Sequence, residues 1–293
     1  MTKKHMRWGW LFVSPYILHL LFFTMIPLLV SIFVAFTRYD LVNPPRWVGL
    51  QNFVQTVTEP KTWRAFRNIW IYALMIQALD ISISMVLAVL LNQKVKGLSL
   101  FRVIYYMPVL TPGVAVSLVW KRLYNPNGGA LNKVLAFIGL GFLSSKYTFS
   151  DNWFVVIASI MVMSLWKGLG GTTIYFLAGL QAISNDVIEA ANIDGAGAVK
   201  KFFKITVPLL TPTIFFMLIT GIAASLQTFE NFYLMIEETG ADVEVVNFRL
   251  YSLMWGNSQV GLASSLGWIS FVFIAIITVL QKKFEKKWVH YDA

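Results

Sequence analysis

A hydrophilic stretch lies between two long apolar runs and reads Gln181-Ala-Ile-Ser-Asn-Asp-Val-Ile-Glu189-Ala-Ala-Asn-Ile-Asp194-Gly195-Ala-Gly-Ala-Val-Lys200-Lys-Phe-Phe-Lys204. Ser184 can cap a helix, because its hydroxyl can accept a hydrogen bond from the first turn. Asp186 puts a negative charge in that turn, where the helix dipole favours it. Gly195 stands where a glycine commonly ends a helix. The stretch therefore predicts a short capped helix, and a second short helix should carry Phe202 and Phe203 into the next apolar run.

The first predicted helix is acidic. Asp186, Glu189 and Asp194 all precede the basic residues of the stretch. A helix that lies on anionic lipid headgroups carries basic residues on its polar side, which this one lacks. An acidic, capped, alanine-rich helix suits a groove in another protein better than a membrane surface. Its apolar side is predicted to consist of Val187, Ile188, Ala191 and Ile193.

The chain around this stretch is too apolar for a soluble protein. Its 293 residues are 57% hydrophobic and 13% charged, with a mean hydropathy of +0.65. Soluble domains carry about 45–50% apolar and about 25% charged residues. We therefore expect an all-α integral membrane protein. The absence of cysteine excludes a disulfide framework, a cysteine-ligated metal site and a cysteine nucleophile.

Six apolar stretches are long enough to cross a bilayer, whose core of about 30 Å needs roughly 20 helical residues. The stretches are continuous rather than alternating, which excludes membrane-spanning strands. The first is too long for the apolar part of a cleaved signal peptide, so it is predicted to stay as an anchor. One transmembrane domain covering residues 1–293 is expected. The predicted spans are residues 8–36, 68–91, 103–119, 153–180, 205–226 and 262–280.

The distribution of basic residues predicts the orientation. Lys and Arg are densest in the short segments that become cytoplasmic if the N-terminus is inside, including residues 200–204 and 282–287. By the positive-inside rule, both termini and the loop of residues 181–204 are cytoplasmic. The net charge of +10 is then an orientation signal, and no nucleic-acid partner is expected.

Prolines interrupt three of the spans. Each removes a helix hydrogen bond, so these helices should start irregularly or kink. Two pairs stand in similar strings, Met107-Pro-Val-Leu-Thr-Pro112 and Val207-Pro-Leu-Leu-Thr-Pro212. The first span carries Pro15 and Pro27.

The loop of residues 181–204 resembles the EAA loop of binding-protein-dependent ABC importer permeases. The resemblance lies in Glu189-Ala-Ala, three residues, Gly195, nine residues, Ile205, one residue and then Val207-Pro208. The family usually has leucine before that proline, so Val207 departs from the pattern. Residues 48–53, 102–108, 129–132, 166–168 and 261–264 look like sugar permeases of the maltose and multiple-sugar type. The opening span resembles the first of the two permease subunits in such systems.

This resemblance implies a type I ABC importer permease fold with six transmembrane helices and a cytoplasmic coupling helix. It implies a subunit of the bacterial cytoplasmic membrane that imports a sugar or oligosaccharide by alternating access. The implied partners are membrane lipid, a second homologous permease, a cytoplasmic ATP-binding subunit dimer and an extracytoplasmic sugar-binding protein. The residues implied to couple to the ATPase are Glu189, Ala190, Ala191, Asp194 and Gly195.

The chain itself carries no nucleotide-binding pattern of the form Gly-x-x-x-x-Gly-Lys-Ser/Thr. No cofactor is therefore expected in this chain, and ATP and Mg are expected in the partner ATPase. No metal site is predicted either, because His5, His19 and His290 form no ligand spacing. The chain is expected to be a transport subunit rather than an enzyme.

Two ionisable residues, Asp80 and Lys167, lie within predicted spans. A charge at a helix centre costs roughly 2.5–3.5 kcal/mol on insertion scales, so such residues usually face the protein interior. They lie at similar depth and can either pair with each other or find separate partners.

The end of the fifth span combines polar groups with rings, as sugar sites do. Gln227 and Asn231 are four residues apart, which predicts one shared helical face with Glu230 nearby. The alternative is an aromatic belt at the outer membrane interface. The candidate substrate residues are Gln227, Glu230, Asn231 and Tyr233, with Trp166 and Thr173 on the fourth span.

Two other classes of protein remain as alternatives. A stand-alone ion-coupled secondary transporter of a small polar solute would need a stronger set of buried charges than Asp80 and Lys167. A membrane-embedded enzyme would need catalytic groups, and only Asp80 supplies a buried acid. The EAA-like loop favours the importer subunit over both.

Overall fold

The computed structural model describes residues 3–93, 97–125, 129–139, 152–236 and 242–290, and the side chains of residues 3–8, 98, 99 and 185 lie outside this description. The chain divides into two compact units. The first comprises Met1–Trp63 with Arg249–Phe273, and the second comprises Arg64–Phe248 with Ile274–Ala293.

The described residues are mostly helical. Three π-helical turns interrupt the helices, at Leu21–Met25, Phe202–Thr206 and Ser252–Gly256, and a short antiparallel pair joins β1 (Thr37–Arg38) to β2 (Arg46–Trp47). In chain order the helices are α1 (Lys3–Leu20), α2 (Ile26–Ala35), α3 (Gln51–Thr58), α4 (Pro60–Leu91), α5 (Leu98–Leu110), α6 (Gly113–Tyr124), α7 (Ala130–Phe137), α8 (Trp153–Ala182), α9 (Asn185–Ile193), α10 (Ala198–Lys201), α11 (Val207–Leu209), α12 (Thr211–Leu226), α13 (Glu230–Ile236), α14 (Val246–Tyr251) and α15 (Val260–Glu285).

Four of the predicted spans are single helical runs in the described part of the chain. They are long and apolar enough to cross a membrane. Most of their ends lie within a few residues of the predicted ends. The second span begins at Pro60 rather than at residue 68, and the last extends to Glu285 rather than residue 280. The four runs are Gly9–Ala35, Pro60–Leu91, Trp153–Ala182 and Val260–Glu285.

The other two spans are bent pairs of helices, as their prolines predicted. Leu100–Leu110 and Gly113–Tyr124 meet at 96°, and Ala198–Leu209 and Thr211–Leu226 meet at 64°. The predicted span of residues 103–119 therefore lies within the first bent pair, and its break falls at Thr111 and Pro112. Pro112 disfavours helical geometry in the residue before it, and Thr111 accordingly has φ −79° and ψ 132°.

The two π-helical turns that precede Pro27 and Pro208 have the same cause. A proline inside a helix has no N–H for the carbonyl four residues earlier, and its ring clashes with that carbonyl. One wide turn before the proline lets the helix continue without a sharp break. The first span therefore stays continuous despite its prolines.

Hydrogen bonds to the chain that follows α2 hold the first unit together. Asn52 on α3 donates from Nδ2 to the carbonyls of Ala35 and Thr37, both at 2.8 Å. Thr56, one turn later, shares a 2.7 Å hydrogen bond with Ser265 on α15. Because these groups are buried, the hydrogen bonds satisfy polar atoms that water does not reach.

The second unit has its apolar core between α4, α8 and α12. Helices pack closely here because apolar side chains from all three interlock, as close-packed protein interiors require. The core residues are Ile81, Ala88, Phe176, Leu177, Leu180, Leu210 and Met217. This packing positions the helices that form the candidate site.

Candidate functional site

The helix α9 begins as its sequence predicts. The Ser184 side chain accepts a hydrogen bond from the backbone N–H of Asp186 at 3.2 Å, which confirms it as the N-cap. Asp186 lies in the first turn, where its charge faces the positive end of the helix dipole.

The end of α9 is fixed by Gly195, which has φ +69°. Its N–H donates to the backbone carbonyl of Asn192 at 3.1 Å, and the N–H of Ala196 donates to the backbone carbonyl of Ala191 at 3.0 Å. This pair of hydrogen bonds is the Schellman pattern of helix ends. A side chain at position 195 would meet no atom within 4 Å, so glycine is needed there for its backbone conformation and not for space.

The acidic side of α9 is open to solvent. Asp186, Glu189 and Asp194 are exposed, whereas Ala191 is only 5% exposed. The prediction that Ile193 shares the apolar side is wrong, because Ile193 is 87% exposed. At about 100° per residue it lies about 240° around the helix from Val187.

Exposed apolar side chains flank this acidic surface. Val199 is 72% and Phe203 is 63% exposed on the segment that leads into α12. Lys201 ties this segment to α9 by donating from Nζ to Asn192 Oδ1 at 2.6 Å. Exposed apolar groups beside a fixed, charged helix are typical of a surface that binds another protein.

A cavity of about 250 Å³, with several polar side chains in a mainly apolar lining, lies between α4, α8 and α12. Tyr72, Gln77 and Asp80 line it from α4, and Ser164 lines it from α8. Gly221 lets α12 approach, because a side chain there would overlap the Gln77 amide. Gln77 in turn donates from Nε2 to the Met217 carbonyl at 3.0 Å.

Asp80 does not form the possible ion pair with Lys167. Its Oδ2 accepts a 2.6 Å hydrogen bond from Thr172, and its Oδ1 accepts one from Ser84 at 3.4 Å. Thr172 lies five residues beyond Lys167 on α8, so the two side chains point about 140° apart. Asp80 therefore finds hydroxyl partners of its own and keeps further acceptor capacity at the cavity.

Asn231 belongs to a chain of hydrogen bonds that reaches the same cavity. It accepts from Ser117 at 3.4 Å and donates from Nδ2 to Ser164 Oγ at 3.1 Å. Ser164 Oγ also accepts from the Tyr72 hydroxyl at 2.9 Å. The chain links α6, α13, α8 and α4, and two of its members line the cavity.

Gln227 and Asn231 do not share a helical face, which corrects the prediction. Helix α12 ends at Leu226 and α13 begins at Glu230, so no continuous helix joins the two residues. Gln227 is exposed, and its Nε2 donates to the Ala223 carbonyl at 2.9 Å.

Glu230 lies against the break between α5 and α6. A Cβ added at Gly113 would lie 2.7 Å from Glu230 Oε2 and 2.9 Å from Oε1. Glu230 Oε1 is buried, and within the described residues it has no hydrogen-bond partner. A glycine at the start of α6 thus makes room for this carboxylate.

The remaining substrate candidates differ in access. The Tyr233 ring stacks on Phe229 at 5.3 Å, and Trp166 is 45% exposed with its ring 5.8 Å from that of Trp120. Thr173 is fully buried and donates to the Leu169 carbonyl at 2.6 Å. We therefore leave Thr173 out of the proposed substrate site.

Sequence reasoning missed Tyr72, Gln77 and Ser164. A signal was present on α4, where Gln77, Asp80 and Ser84 follow one another at spacings of three and four residues. Such spacing places polar groups on one face of an otherwise apolar helix. Within the described residues, no group of three or more His, Asp or Glu side chains could hold a metal ion.

Residues 80–290 match the family of binding-protein-dependent transport system inner membrane components. The chain belongs to this family. It is a permease subunit of an ABC transporter and an integral component of the membrane, as its apolar helices require.

Relatives of this permease support the assignment. It is 34% identical to a probable ABC transporter permease protein of Bacillus subtilis (strain 168), YesP, over 97% of this chain and 92% of the relative. It is 32% identical to MsmF of Streptococcus mutans, a multiple sugar-binding transport system permease protein, over 96% of each chain. It is 29% identical to AraP of Halalkalibacterium halodurans, an arabinooligosaccharides transport system permease protein, over 92% and 84%.

A solved structure has the same fold. A chain of the bacterial alginate ABC transporter, crystallised with its alginate pentasaccharide-bound periplasmic protein, superposes with a TM-score of 0.81. The sequence identity is 23%, and the match covers 97% of this permease and 96% of that chain.

Proposed function

We propose that this chain is one of two homologous permease subunits in an ATP-driven importer that carries a saccharide into the cytoplasm by alternating access. The cavity between α4, α8 and α12, with its group of polar side chains, carries this proposal. Sugars are held by hydrogen-bonding groups at their hydroxyls, and Asp80, Gln77 and Ser164 supply such groups to the cavity. Relatives named for multiple sugars and arabinooligosaccharides favour the same substrate class.

The partner that supplies the energy is proposed to be a cytoplasmic dimer of ATP-binding subunits. Helix α9 would sit in a cleft of that dimer, with Glu189 facing basic residues and with Ala190, Ala191, Asp194 and Gly195 forming the contact. The hydrogen-bonded caps at both ends of α9 and its exposed acidic side suit this role. A helix that transmits a movement between two proteins must keep its shape. ATP and Mg belong to the partner, and an extracytoplasmic binding protein delivers the saccharide.

The proposed setting is the bacterial cytoplasmic membrane, in contact with its lipids. Residues 1–293 would form one transmembrane permease domain with both termini cytoplasmic. The chain has no cysteine, so single cysteines report which side of the membrane they occupy. In right-side-out membrane vesicles, we expect an impermeant thiol reagent to label Val42→Cys but to label Lys200→Cys only after permeabilisation. The reverse pattern would place α9 on the wrong side for ATP.

Uptake by the reconstituted transporter tests the function itself. Proteoliposomes containing both permeases, the ATP-binding subunits and the binding protein should accumulate maltotriose, arabinotriose or digalacturonate only when ATP is present. Asn231→Ala should weaken uptake, because an unpaired polar group costs about 1–3 kcal/mol, or about 5- to 150-fold in affinity.

Asn92→Ala is the matched control for that variant, since Asn92 is exposed at the end of α4, and it should transport normally. Uptake that depends on an ion gradient and not on ATP would instead favour a stand-alone secondary transporter. Accumulation of none of the three saccharides would contradict the proposed substrate class.

A further inference from the structure

The first unit contains another cavity, of about 390 Å³, whose lining is polar. It lies where the chain leaves α2 and enters α15, which meet through a 3.0 Å hydrogen bond from the N–H of Val260 to the Tyr39 carbonyl. Its volume falls in the range of about 300–1,000 Å³ that is usual for ligand pockets. With cytoplasmic termini, this end of both helices faces the outside.

The frame of this cavity is fixed by hydrogen bonds. Asn52 bridges the carbonyls of Ala35 and Thr37, and Gly261 packs so closely on Thr37 that a side chain there would overlap the Thr37 carbonyl. The Asp40 carboxylate closes a turn by accepting from the N–H of Asn43 at 2.8 Å. This hydrogen bond lowers the pKa of Asp40, so the turn keeps its charge.

Five other side chains that line the cavity are, by contrast, free to bind a ligand. Arg38, Tyr39, Gln55, Asn257 and Gln259 all line it. Within the described part of the chain, none of these five side chains makes a hydrogen bond or ion pair with protein. The backbone that carries these side chains is fixed by hydrogen bonds, so a ligand that binds them does not have to order the chain as well.

We propose that this cavity is a second saccharide site, at the outer face of the permease, and this inference rests on the proposed function. Three planar amides, from Gln55, Asn257 and Gln259, match the hydroxyls of a sugar ring, and the Tyr39 ring offers a flat face. Arg38 can bind either a hydroxyl or the carboxylate of a uronic acid. A concave, amide-rich site suits a saccharide better than a protein partner, whose contact would be centred on apolar and aromatic groups.

Cysteine protection tests this site in the complete transporter in lipid nanodiscs. Gln55→Cys and Asn257→Cys are introduced singly and labelled with a water-soluble maleimide. The probes are maltotriose, arabinotriose and digalacturonate, added with no binding protein present. At a concentration about four times Kd, a bound saccharide should slow labelling about fivefold, since the free fraction is 1/(1 + [L]/Kd). Val42→Cys, which is 88% exposed and lines no part of this cavity, should label at an unchanged rate.

A second readout separates binding from folding. Gln55→Ala with Asn257→Ala should raise the saccharide concentration for half-maximal uptake about two- to tenfold per lost hydrogen bond. The maximal rate and the thermal unfolding midpoint should stay the same.

Two results would overturn the second site. One is unchanged labelling with all three saccharides, and the other is slowed labelling with the binding protein alone, which would make the cavity a protein docking surface. Normal uptake without protection contradicts only this site, whereas a wild-type transporter that imports none of the saccharides contradicts the proposed function.

Discussion

Single glycines are needed at several positions of this permease, for two different physical reasons. Gly195 is needed for its positive φ of +69°, which L side chains rarely adopt. Gly113 and Gly221 are needed for space, because a side chain at either would run into Glu230 or Gln77. Substitutions at these positions therefore have different expected effects, although each adds one methyl group.

Replacing Gly195 with alanine should loosen the end of α9. Holding a non-glycine residue in the left-handed region costs roughly 1–2 kcal/mol, so the Schellman hydrogen bonds should open more often. Hydrogen exchange of the α9 amides in the purified permease measures this opening, and we expect it to rise about 5- to 30-fold.

Gly197→Ala is the control for that measurement. Gly197 has φ −66° and ψ 163°, an extended conformation open to any residue, and no atom lies within 4 Å of its would-be side chain. Equal α9 exchange in the two variants would show that the glycine end is not what holds the helix.

At the scale of elements, the sharpest feature is the 96° bend between Leu100–Leu110 and Gly113–Tyr124. Pro112 explains why the helix breaks, and Glu230 on α13 lies against the new start at Gly113. One turn further on, Ser117 donates to Asn231 at 3.4 Å. The start of α6 is therefore held by α13 through two neighbouring contacts.

A pair of substitutions tests this contact. Gly113→Ala should push the Glu230 carboxylate away and cost about 1–3 kcal/mol, as overpacking usually does. Glu230→Ala removes the obstructing group, so Gly113→Ala should cost much less in that background. The thermal unfolding midpoint of the permease in the four variants gives the coupling, expected at about 0.5–3 kcal/mol. Additive effects would mean that α13 does not hold the bend.

The features of this fold that were predictable depend on local sequence. The caps of α9 at Ser184 and Gly195, and the kinks near the paired prolines, follow from side chains within a few residues, so the sequence alone predicted them. The end of α12 does not follow from nearby residues, because the Gln227 carbonyl accepts a 2.6 Å hydrogen bond from Asn247, twenty residues away. Local spacing does not reveal this tertiary contact, and for that reason the prediction that Gln227 and Asn231 share a helical face was wrong.

The proposed substrate cavity could not be predicted from local patterns either. Tyr72 and Ser164, which are 92 positions apart in the sequence, meet only because α4 and α8 pack together. Neither residue is unusual in its own helix. Asp80 was identified because a carboxyl in an apolar span is costly, but its partner was not, because the rotation of α8 cannot be derived from depth alone.

At the scale of the whole molecule, the chain is a transport subunit. The ATP hydrolysis that is proposed to drive transport takes place in another protein. Its capped helix α9 keeps Asp186 and Glu189 exposed, beside the exposed side chains of Val199 and Phe203. We expect ATP-driven closure of the partner dimer to move this helix and, with it, the cavity between α4, α8 and α12. Charge on α9 should therefore control coupling without affecting insertion of the permease.

The most direct measurement is the binding-protein-stimulated ATPase activity of the assembled transporter carrying Glu189→Lys, with copurification of the ATP-binding subunits measured on the same sample. Gln181→Lys, an added charge at an exposed position just before α9, is the control and should behave as wild type. We predict that Glu189→Lys inserts normally but loses both the stimulated activity and the copurifying ATP-binding subunits. Wild-type stimulation and full copurification in Glu189→Lys would contradict the role of α9 as the coupling helix.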